Sequence, residues 1–394
     1  MKKIKLLHIG RVIRPGGGPS GYLYNLSAIS KERKSEGVKS FAFKYSNDRS
    51  SLNSSKAGLV ILSLPYFLRK YYVKSLLVVR SIIDIYSVIK LKFNMRGSFP
   101  VFHDQMLAYW YGKIFSKPYC IMPHQPIEIA REVDDAYKYR YNLKANDIYN
   151  LVVIKESLAY INASIIICPT KYSLDSYFIS KNDYREVLDS IPKHMVPSTV
   201  TLPKSVLGRL KTRESLSIEG NKLAIGFVGR YNSDKGYDRF LSIAKSHRNN
   251  ENLIFFSAGA GEMQGDEADV TDLGWRKDIA DIITAMDLII IPNRVTYFDL
   301  LPIESLMLGT PVAVTSVGGN KWLLDEVKDN SVLEIKLNDA ITSDNLDAII
   351  GILPPRVQFK CSRLAEHFNN EKFIDSHENL INKLNTLGVI DCEK

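Results

Sequence analysis

The stretch Leu223-Ala-Ile-Gly-Phe-Val-Gly229 is an unbroken apolar run, which leads through the loop Arg230-Tyr-Asn-Ser-Asp-Lys-Gly236 into a helix-period segment, 237–245. A run that is apolar on both faces and precedes a helix predicts a strand of a parallel sheet covered by helices on both sides. The pattern continues with apolar runs at 253–257, 270–273, 288–291, 311–315 and 331–335. We therefore predict a doubly wound α/β domain over residues 204–370.

The same pattern occupies the first half of the chain. Its apolar runs lie at 4–9, 40–44, 59–64, 100–103, 119–123, 165–168 and 196–203. We expect two doubly wound, Rossmann-like domains, 1–203 and 204–370, with a C-terminal helix in 371–394 that is able to cross back to the first. Open parallel sheets bind ligands beyond the carboxyl ends of their strands, so function is expected in the loops facing a cleft between the domains.

The composition is that of a globular protein, because 45% of the 394 residues are hydrophobic and 24% are charged. The four cysteines form no CxxC pair, which disfavours a zinc site or a disulfide framework and favours a reducing compartment. No apolar stretch reaches about 18 residues, and the start lacks the pattern of a signal peptide. A cytoplasmic location is expected, and the net charge of +9 favours anionic partners without choosing among them.

A glycine-rich loop follows the first predicted strand. Gly16-Gly17-Gly18-Pro-Ser-Gly21 matches GxGxxG and opens a helix, so its backbone could approach a phosphate. Residues 11–15 separate the strand from the glycines, and no acidic residue falls at the tip of the second strand, which disfavours a nicotinamide or flavin site. A glycine-lined loop at the ligand cleft is the favoured interpretation, and a purely structural turn is the alternative.

Two further loops place charged residues beside a predicted helix start. Arg230 and Lys235 flank a helix that Asp234 can cap, an arrangement suited to a diphosphate. In the segment 293–312, Glu304 lies near the start of the next helix and can accept both hydroxyls of a ribose. The alternatives are two solvated cations in a loop and a glutamate that only favours the helix dipole.

Taken in order, these loops resemble the motifs of the GT-B, family 4 retaining glycosyltransferases. The matching stretches are Gly229-Arg230 with Lys235-Gly236, Ala258-Gly-Ala-Gly261, Leu273-Gly274, Phe298-x5-Glu304-Ser-x3-Gly309-Thr-Pro-Val312 and Gly318-Gly319. The first half is similar in its glycine-rich loop, in His103-Asp104 and in His124 after a strand. The resemblance implies the GT-B fold, with the acceptor on the first domain and a nucleotide sugar on the second.

The resemblance also implies roles for individual residues. Arg230 and Lys235 would neutralise the donor diphosphate, Glu304 would bind the ribose, and His124 would lie on the sugar and acceptor side; these four are the predicted catalytic residues. The other donor-binding positions that it implies are Gly229, Gly259, Gly261, Thr296, Phe298, Asp299, Leu300 and Leu301. An acceptor or phosphate loop is implied at Gly16, Gly17, Gly18 and His103.

What the family implies is retaining transfer of a sugar from a nucleotide diphosphate sugar to a lipid-linked glycan, in cell-surface polysaccharide synthesis and without a metal or other cofactor. Three positions depart from the family pattern. Thr296 stands where a first glutamate is usual, Asp299 where glycine is usual, and Trp322 where a glutamate often follows the glycine pair. These departures leave open a non-catalytic GT-B-like partner that stabilises another glycosyltransferase, and a nucleotide-sugar epimerase or other GT-B enzyme.

The acidic clusters do not indicate a metal site. The chain has no DxD motif, and Asp134-Asp135 and Asp266-Glu-Ala-Asp269 are interpreted as solvated charges. The second string resembles a helicase motif, but no GxxxxGK[ST] accompanies it, so no nucleic-acid partner is expected.

The segment 66–96 is strongly basic, with seven Lys or Arg and one acid interleaved with apolar and aromatic residues. A basic amphipathic helix suits the interface of an anionic membrane, where polyprenyl-linked acceptors reside. We therefore predict peripheral association with the inner face of the cell membrane. The alternative is a helix that packs on the core and keeps a solvated basic face.

Overall fold

The structure is a computed structural model. It describes residues 4–15, 18–35, 37–45, 61–95, 97–144, 146–179, 181–199, 204–265, 268–328, 330–337, 345–354 and 367–390. The chain divides into two compact units. The N-terminal unit comprises Met1–Pro169, Tyr177–Pro197 and Asn370–Lys394, and the C-terminal unit comprises Thr170–Ser176 and Ser198–Asn369.

Each unit contains a six-stranded sheet in which all neighbouring strands are parallel. The strands of the first are β1 Lys5–Ile13, β2 Val38–Tyr45, β3 Ser98–Phe102, β4 Cys120–Ile121, β5 Ile165–Cys168 and β6 Lys193–Met195. Those of the second are β7 Leu223–Arg230, β8 Leu253–Ala260, β9 Thr271–Asp272, β10 Leu288–Ile291, β11 Val312–Val314 and β12 Val332–Glu334. Their orders are β2-β1-β3-β4-β5-β6 and β12-β11-β10-β7-β8-β9.

Helices connect the strands in both units. In chain order they are α1 Gly18–Glu32, α2 Tyr66–Leu91, α3 Gln105–Phe115, α4 Ile129–Tyr141, α5 Tyr149–Ile161, α6 Asn182–Ser190, α7 Arg209–Ser215, α8 Tyr237–Ser246, α9 Ile279–Ala285, α10 Leu301–Met307, α11 Gly319–Glu326, α12 Leu346–Gly351 and α13 Asn370–Thr386. Asp104 caps α3, because its Oδ1 accepts the amide of Leu107 at 2.9 Å, and Ser116 ends that helix in the left-handed conformation.

Strand β7 shows why these runs are apolar on both faces. Ala224 and Val228 belong to one hydrophobic cluster, and Ile225 and Phe227 belong to another. Because successive side chains of a strand point to opposite faces, the two clusters lie on opposite sides of the sheet. The predicted α/β fold with two doubly wound parallel sheets is therefore confirmed.

Helix α13 packs on the N-terminal sheet. Its buried residues Phe373 and Leu380 share a cluster with Leu6 of β1 and Phe99 of β3. The last described helix therefore completes the core in which the first strand lies.

Two predicted strands are wrong. Ile61 and Leu62 form a helical turn before α2, and residues 59 and 60 lie outside the described residues. A short apolar run cannot be distinguished from a buried helical segment by its periodicity. The last strand of the first sheet is β6 rather than 196–203: residues 196–199 form no strand, since Pro197 lacks an amide to donate, and 200–203 are not described.

Asp134 is also not a solvated charge. It is buried, and its carboxylate accepts the amides of Asn146, Ile148 and Tyr149 at 2.7, 2.8 and 3.0 Å. The side chain thus satisfies backbone donors at the start of α5, whereas Asp135 is exposed as predicted. Residues 266 and 267 of the other acidic string lie outside the described residues.

Candidate functional site

The C-terminal sheet reverses its strand order between β7 and β10. Strands β8 and β9 continue beyond β7, while β11 and β12 continue beyond β10. In open α/β sheets such a switch point is where ligands bind, beyond the carboxyl ends of the strands. The loops that begin there are 231–236 after β7 and 292–300 after β10, and both contain predicted site residues.

The two loops approach each other closely at Gly236. This residue has φ +68°, and a Cβ on it would lie 2.0 Å from the carbonyl oxygen of Pro292, so only glycine fits. Gly236 itself is the N-cap of α8, and the prediction that Asp234 caps this helix is wrong. The loop is instead closed by Asn232, whose Oδ1 accepts the amide of Lys235 at 3.0 Å.

Two arginines hold the loops together. Arg294 donates to both carboxylate oxygens of Asp238 at 2.6 and 2.5 Å and to the Ser233 carbonyl at 2.8 Å. Arg239 donates to the carbonyl of Asn293 at 3.3 Å. Sequence reasoning did not assign either arginine, although a cation directly after β10 was a visible signal.

Lys235 reaches across from the first loop to Asp299 in the second. Its Nζ lies 2.5 Å from Oδ2 of Asp299, and Asn293 donates to the same oxygen at 3.2 Å. Burial of Asp299 works against its charge, but Lys235, Asn293 and the Leu301 amide outweigh it and lower the pKa of this carboxyl. The structure thus places a compensated ion pair at the switch point.

Glu304 lies in the first turn of α10 and is half-buried. Burial raises the pKa of Glu304, and the nearby charge of Asp299 raises it further. Lys235, Asp299 and Glu304 therefore form one electrostatic group, in which a cation lies beside two carboxyls of different proton affinity.

Arg230 differs from the other cations of these loops. It ends β7, its side chain is exposed, and it forms no ion pair with the described residues. Its guanidinium is therefore available to an anion at the carboxyl end of the sheet.

The glycines of the predicted donor site allow close backbone approach. A Cβ on Gly259 would lie 1.8 Å from the Gly229 carbonyl oxygen, and one on Gly261 would lie 2.4 Å from that of Tyr231. Packing between the ends of β7 and β8 is thus sufficient to require Gly259 and Gly261. A donor contact at Gly229, Gly259 and Gly261 stays a prediction.

The other predicted donor positions are largely covered. Thr296 is only 5% exposed, and its carbonyl oxygen would lie 1.8 Å from a Cβ on Gly318. The side chains of Phe298, Leu300 and Leu301 pack against a core cluster. These three side chains are only partly buried, and the Leu301 amide already donates to Asp299.

In the N-terminal unit, the glycine-rich loop is described only in part. Gly16 and Gly17 lie outside the described residues. Gly18 opens α1 with φ +67°, and a Cβ there would meet no atom of the described residues within 4 Å. A phosphate or acceptor contact at Gly16, Gly17 and Gly18 stays a prediction.

Four histidines of this unit form a group that we name the histidine cluster: His8, His103, His124 and His377. Nδ1 of His8 lies 2.9 Å from Nε2 of His103, and Nδ1 of His103 lies 2.7 Å from Nε2 of His124. Tyr22 is hydrogen-bonded to His377, 2.8 Å away, and its ring contacts those of His103 and His124. Each N···N hydrogen bond needs one acceptor nitrogen. Two histidine rings joined by such a bond therefore cannot both be in the cationic imidazolium form.

Burial is the main cause of a lowered pKa at all four histidines. It lowers the pKa of His8 and His124 to about 3 and those of His103 and His377 well below the usual range. Nε2 of His8 and Nδ1 of His377 are buried without a hydrogen-bond partner among the described residues. Sequence reasoning found His103 and His124 and missed the other two, although His8 interrupts the apolar run of β1.

A metal site is not visible at either location. Within the described ranges, no group of three or more His, Cys, Asp or Glu side chains is placed to hold a metal ion.

Comparison with known proteins agrees with this geometry. Residues 222–350, which contain the switch-point loops, match the family model described as glycosyl transferases group 1. The C-terminal domain is a group 1 glycosyltransferase domain. The motif resemblance to this family is thereby confirmed.

Curated glycosyltransferases are similar to this chain over part of their length. The 2-deoxystreptamine glucosyltransferase of Streptomyces kanamyceticus is 28% identical over 148 residues, 34% of this chain and 38% of the relative. The UDP-Gal:alpha-D-GlcNAc-diphosphoundecaprenol alpha-1,3-galactosyltransferase of Escherichia coli is 25% identical over 215 residues, 49% of this chain and 54% of the relative. The matches therefore span about two fifths and about half of these two proteins.

Solved structures extend the likeness to the fold of nearly the whole chain. The sucrose-phosphate synthase of Thermosynechococcus elongatus aligns with a TM-score of 0.62 at 14% identity, covering 97% of this chain and 99% of that one. The HepE protein of Anabaena in complex with UDP aligns with a TM-score of 0.56 at 13% identity, covering 97% and 100%. The chain has the GT-B fold.

Proposed function

We propose that the chain is a retaining glycosyltransferase that uses a nucleoside diphosphate sugar as donor and a lipid-linked glycan as acceptor. The observation that supports this most is the switch point of the C-terminal sheet. There Lys235 from the β7 loop meets Asp299 from the β10 loop, with Glu304 beside them and the exposed Arg230 at the end of β7.

In this proposal the two cations stabilise the leaving group. The bond between the anomeric carbon and the diphosphate breaks, a bond to the acceptor oxygen forms on the same face, and the acceptor proton passes to the leaving phosphate oxygen. Negative charge develops on the diphosphate, where fixed cations such as Arg230 and Lys235 lower the barrier. The proposed mechanism uses these side chains and no metal or cofactor.

Glu304 and His124 have separate roles in the proposal. Glu304 accepts the ribose hydroxyls and so orients the nucleotide. His124 contacts the donor sugar or the acceptor as a neutral imidazole, which its lowered pKa supports. Its bond to His103 fixes the orientation of the ring.

Asp299 changes the task of Lys235. A donor diphosphate must compete with Asp299 for the ammonium group of Lys235. It is able to do so because it carries more than one negative charge. The Asp299 carboxylate is then free to accept a hydroxyl of the donor sugar, in place of the family's usual carboxylate at position 296. This supports a donor whose hydroxyl pattern differs from that of common family members.

The proposals for the acceptor and the location concern the N-terminal unit. A relative named above acts on a diphosphoundecaprenol-linked acceptor. Only Val73, Asp84, Val88 and Leu91 of α2 are buried, so this basic helix exposes Phe67, Tyr71 and Tyr86, which are 58%, 68% and 67% exposed. No helix in the part of the chain that the structure describes is both long and apolar enough to cross a bilayer. We propose peripheral contact of α2 with the inner face of the membrane, in cell-surface polysaccharide synthesis.

A panel of nucleotide sugars tests the donor site. In thermal-shift measurements with UDP, GDP, ADP and TDP sugars, the correct donor at a hundred times its Kd stabilises the protein by about 2.7 kcal/mol. The Arg230→Ala and Lys235→Ala variants should then bind the nucleoside diphosphate about 2 kcal/mol more weakly by calorimetry. Arg276→Ala is the matched control, because Arg276 pairs with Asp278 outside the switch-point loops.

Transfer itself is tested with the donor so identified and a lipid-linked acceptor extract. Nuclear magnetic resonance of the product should show the anomeric configuration of the donor, and inversion would refute the retaining mechanism. If no transfer occurs and a glycosyltransferase encoded nearby loses activity only without this protein, the chain is a stabilising partner instead.

A further inference from the structure

The N-terminal unit contains a cavity of about 830 Å³ between α2, α3, α4 and α5. None of the four residues of the histidine cluster is among the described residues that line it, and neither is Gly18. Its volume is within the range of about 300–1,000 Å³ that is typical of ligand pockets.

The walls of the cavity are apolar. They include Leu77, Ile82 and Ile85 from α2, Trp110 from α3, Val133 from α4 and Leu151 from α5. Several of these side chains face water in this structure: Ile82 is 60% exposed and Leu151 is 45% exposed. Exposed apolar surface of this kind marks a site that another apolar group covers.

An ion-pair network closes one end of the cavity. Asp84 and Asp104 line it, and both are paired with Arg11, whose Nη1 and Nε lie 2.5 Å from their respective carboxylates. Burial disfavours the charge on Arg11, but Asp104 and Asp84 outweigh it and raise its pKa. Asp104 directly follows His103, so this end of the cavity lies at the carboxyl edge of the sheet that holds the histidine cluster.

The charges around the cavity are mainly positive. The cations that line it are Lys74, Arg80, Arg140 and Lys155. Three acids also line it, Asp84, Asp104 and Glu132, and the charge of Arg11 offsets one of them, so the cations still outnumber the uncompensated acids. Lys155 lies over the ring of Trp110, 5.4 Å from its centroid, so a cation borders the apolar wall directly. Apolar walls with cations beside them complement an amphiphile whose head is anionic.

We propose that this cavity binds the apolar chain of a single-chain lipid whose head carries phosphate. The inference rests on the proposed function, because such a lipid is the carrier of the acceptor glycan. A lipid bound in this way would extend its apolar chain from the membrane surface along α2 into the cavity. Its phosphate would lie near the cations that line the cavity. The cavity would then select the lipid part of the acceptor, while the donor residues select the sugar.

A displacement assay tests the site in the intact protein. A fluorescent probe, dansylaminoundecanoic acid, is bound first and displaced with farnesyl phosphate, farnesol, pyrophosphate or dihexanoyl phosphatidylglycerol. We expect farnesyl phosphate to displace the probe at lower concentration than the other three. Equal or stronger displacement by the phospholipid would overturn the proposal and make the cavity a general membrane anchor, and displacement by pyrophosphate alone would make it an anion site.

Tryptophan variants give the matched comparison. Val78→Trp and Ala136→Trp fill the cavity and should weaken the binding of farnesyl phosphate about tenfold, a change of about 1.4 kcal/mol in binding free energy. Val79→Trp adds the same bulk at the adjacent, 53% exposed position of α2 that does not line the cavity, and should change the affinity by less than about twofold. Unchanged affinity in both cavity variants, with melting temperatures like that of the wild type, would refute the site.

Nucleotide binding separates this inference from the proposed function. The cavity variants should bind the nucleoside diphosphate as the wild type does. Lipid binding without any nucleotide binding in the wild type would refute the glycosyltransferase proposal and leave the lipid site in place. Nucleotide binding and transfer without selective lipid binding would refute only the lipid site.

Discussion

Replacing Asp299 with asparagine should strengthen binding of the nucleoside diphosphate. In the structure Nζ of Lys235 lies 2.5 Å from the Asp299 carboxylate, and the two side chains are 28% and 15% exposed. A diphosphate that binds Lys235 must therefore come close to the negative charge of Asp299. The amide side chain of the Asp299→Asn variant would keep the hydrogen-bonding shape and remove that charge.

The size of the effect follows from Coulomb's law. Two unit charges about 6 Å apart in an effective dielectric constant of about 20 interact by about 2.8 kcal/mol. Screening by salt at this partly exposed pair reduces the figure to about 1–2 kcal/mol, or about 5–30-fold in affinity. The complete nucleotide sugar should gain less than the nucleoside diphosphate, because its sugar loses the carboxylate that we propose as a hydroxyl acceptor.

Titration calorimetry at low and at moderate salt measures both ligands. Asp278→Asn is the matched control. Asp278 forms an ion pair with Arg276, 2.6 Å long, and both residues lie outside the switch-point loops. In a Lys235→Ala background the diphosphate is no longer held close to Asp299, so the gain from Asp299→Asn should shrink. If Asp299→Asn binds the nucleoside diphosphate no more tightly than the wild type or Asp278→Asn, then Lys235 does not hold the diphosphate.

Three further predictions concern turnover, membrane binding and pH. Glu304→Ala should lower turnover about 10²-fold if the ribose contact contributes about 3 kcal/mol in the transition state, and unchanged single-turnover rates would contradict this. Changing Lys74 and Arg80 to Gln should weaken sedimentation with anionic vesicles by about 1 kcal/mol per residue and leave neutral vesicles unaffected; equal binding to both vesicle types would leave α2 a structural helix. The melting temperature should fall as the pH falls from 6.5 towards 3, because the histidines bind protons in the unfolded chain but stay neutral in the folded cluster. The free energy of unfolding should drop by about 1.4 kcal/mol per pH unit for each such histidine. Burial raises the pKa of Glu156 to about 8, so above pH 4.5 this residue binds one proton in the folded state that the unfolded chain does not bind, which opposes the trend. A melting temperature that does not change between pH 7 and 5 would refute the prediction.

The sequence by itself determined the fold class, the second series of strands and the family of the C-terminal domain. Strands such as β7 and β10 are buried on both faces, so the sequence marks them as continuous apolar runs. The loops that follow them have short, ordered motifs in which Gly236 and Gly318 are required by backbone contacts. The glycines of these motifs are visible in the sequence, although the contacts that require them, with Pro292 and Thr296, join separate loops.

Only the tertiary structure decided which charges and rings meet. Lys235 and Asp299 are 64 residues apart and His8 and His103 are 95 apart, so their contacts depend on the strand order of each sheet. The structure likewise paired Asp84 and Asp104 with Arg11, and left an apolar cavity beside α2 where the charge pattern alone predicted a membrane helix. Periodicity reports which face of an element is buried, but it does not specify the partner, because long-range packing brings together residues whose separation in sequence has no fixed period.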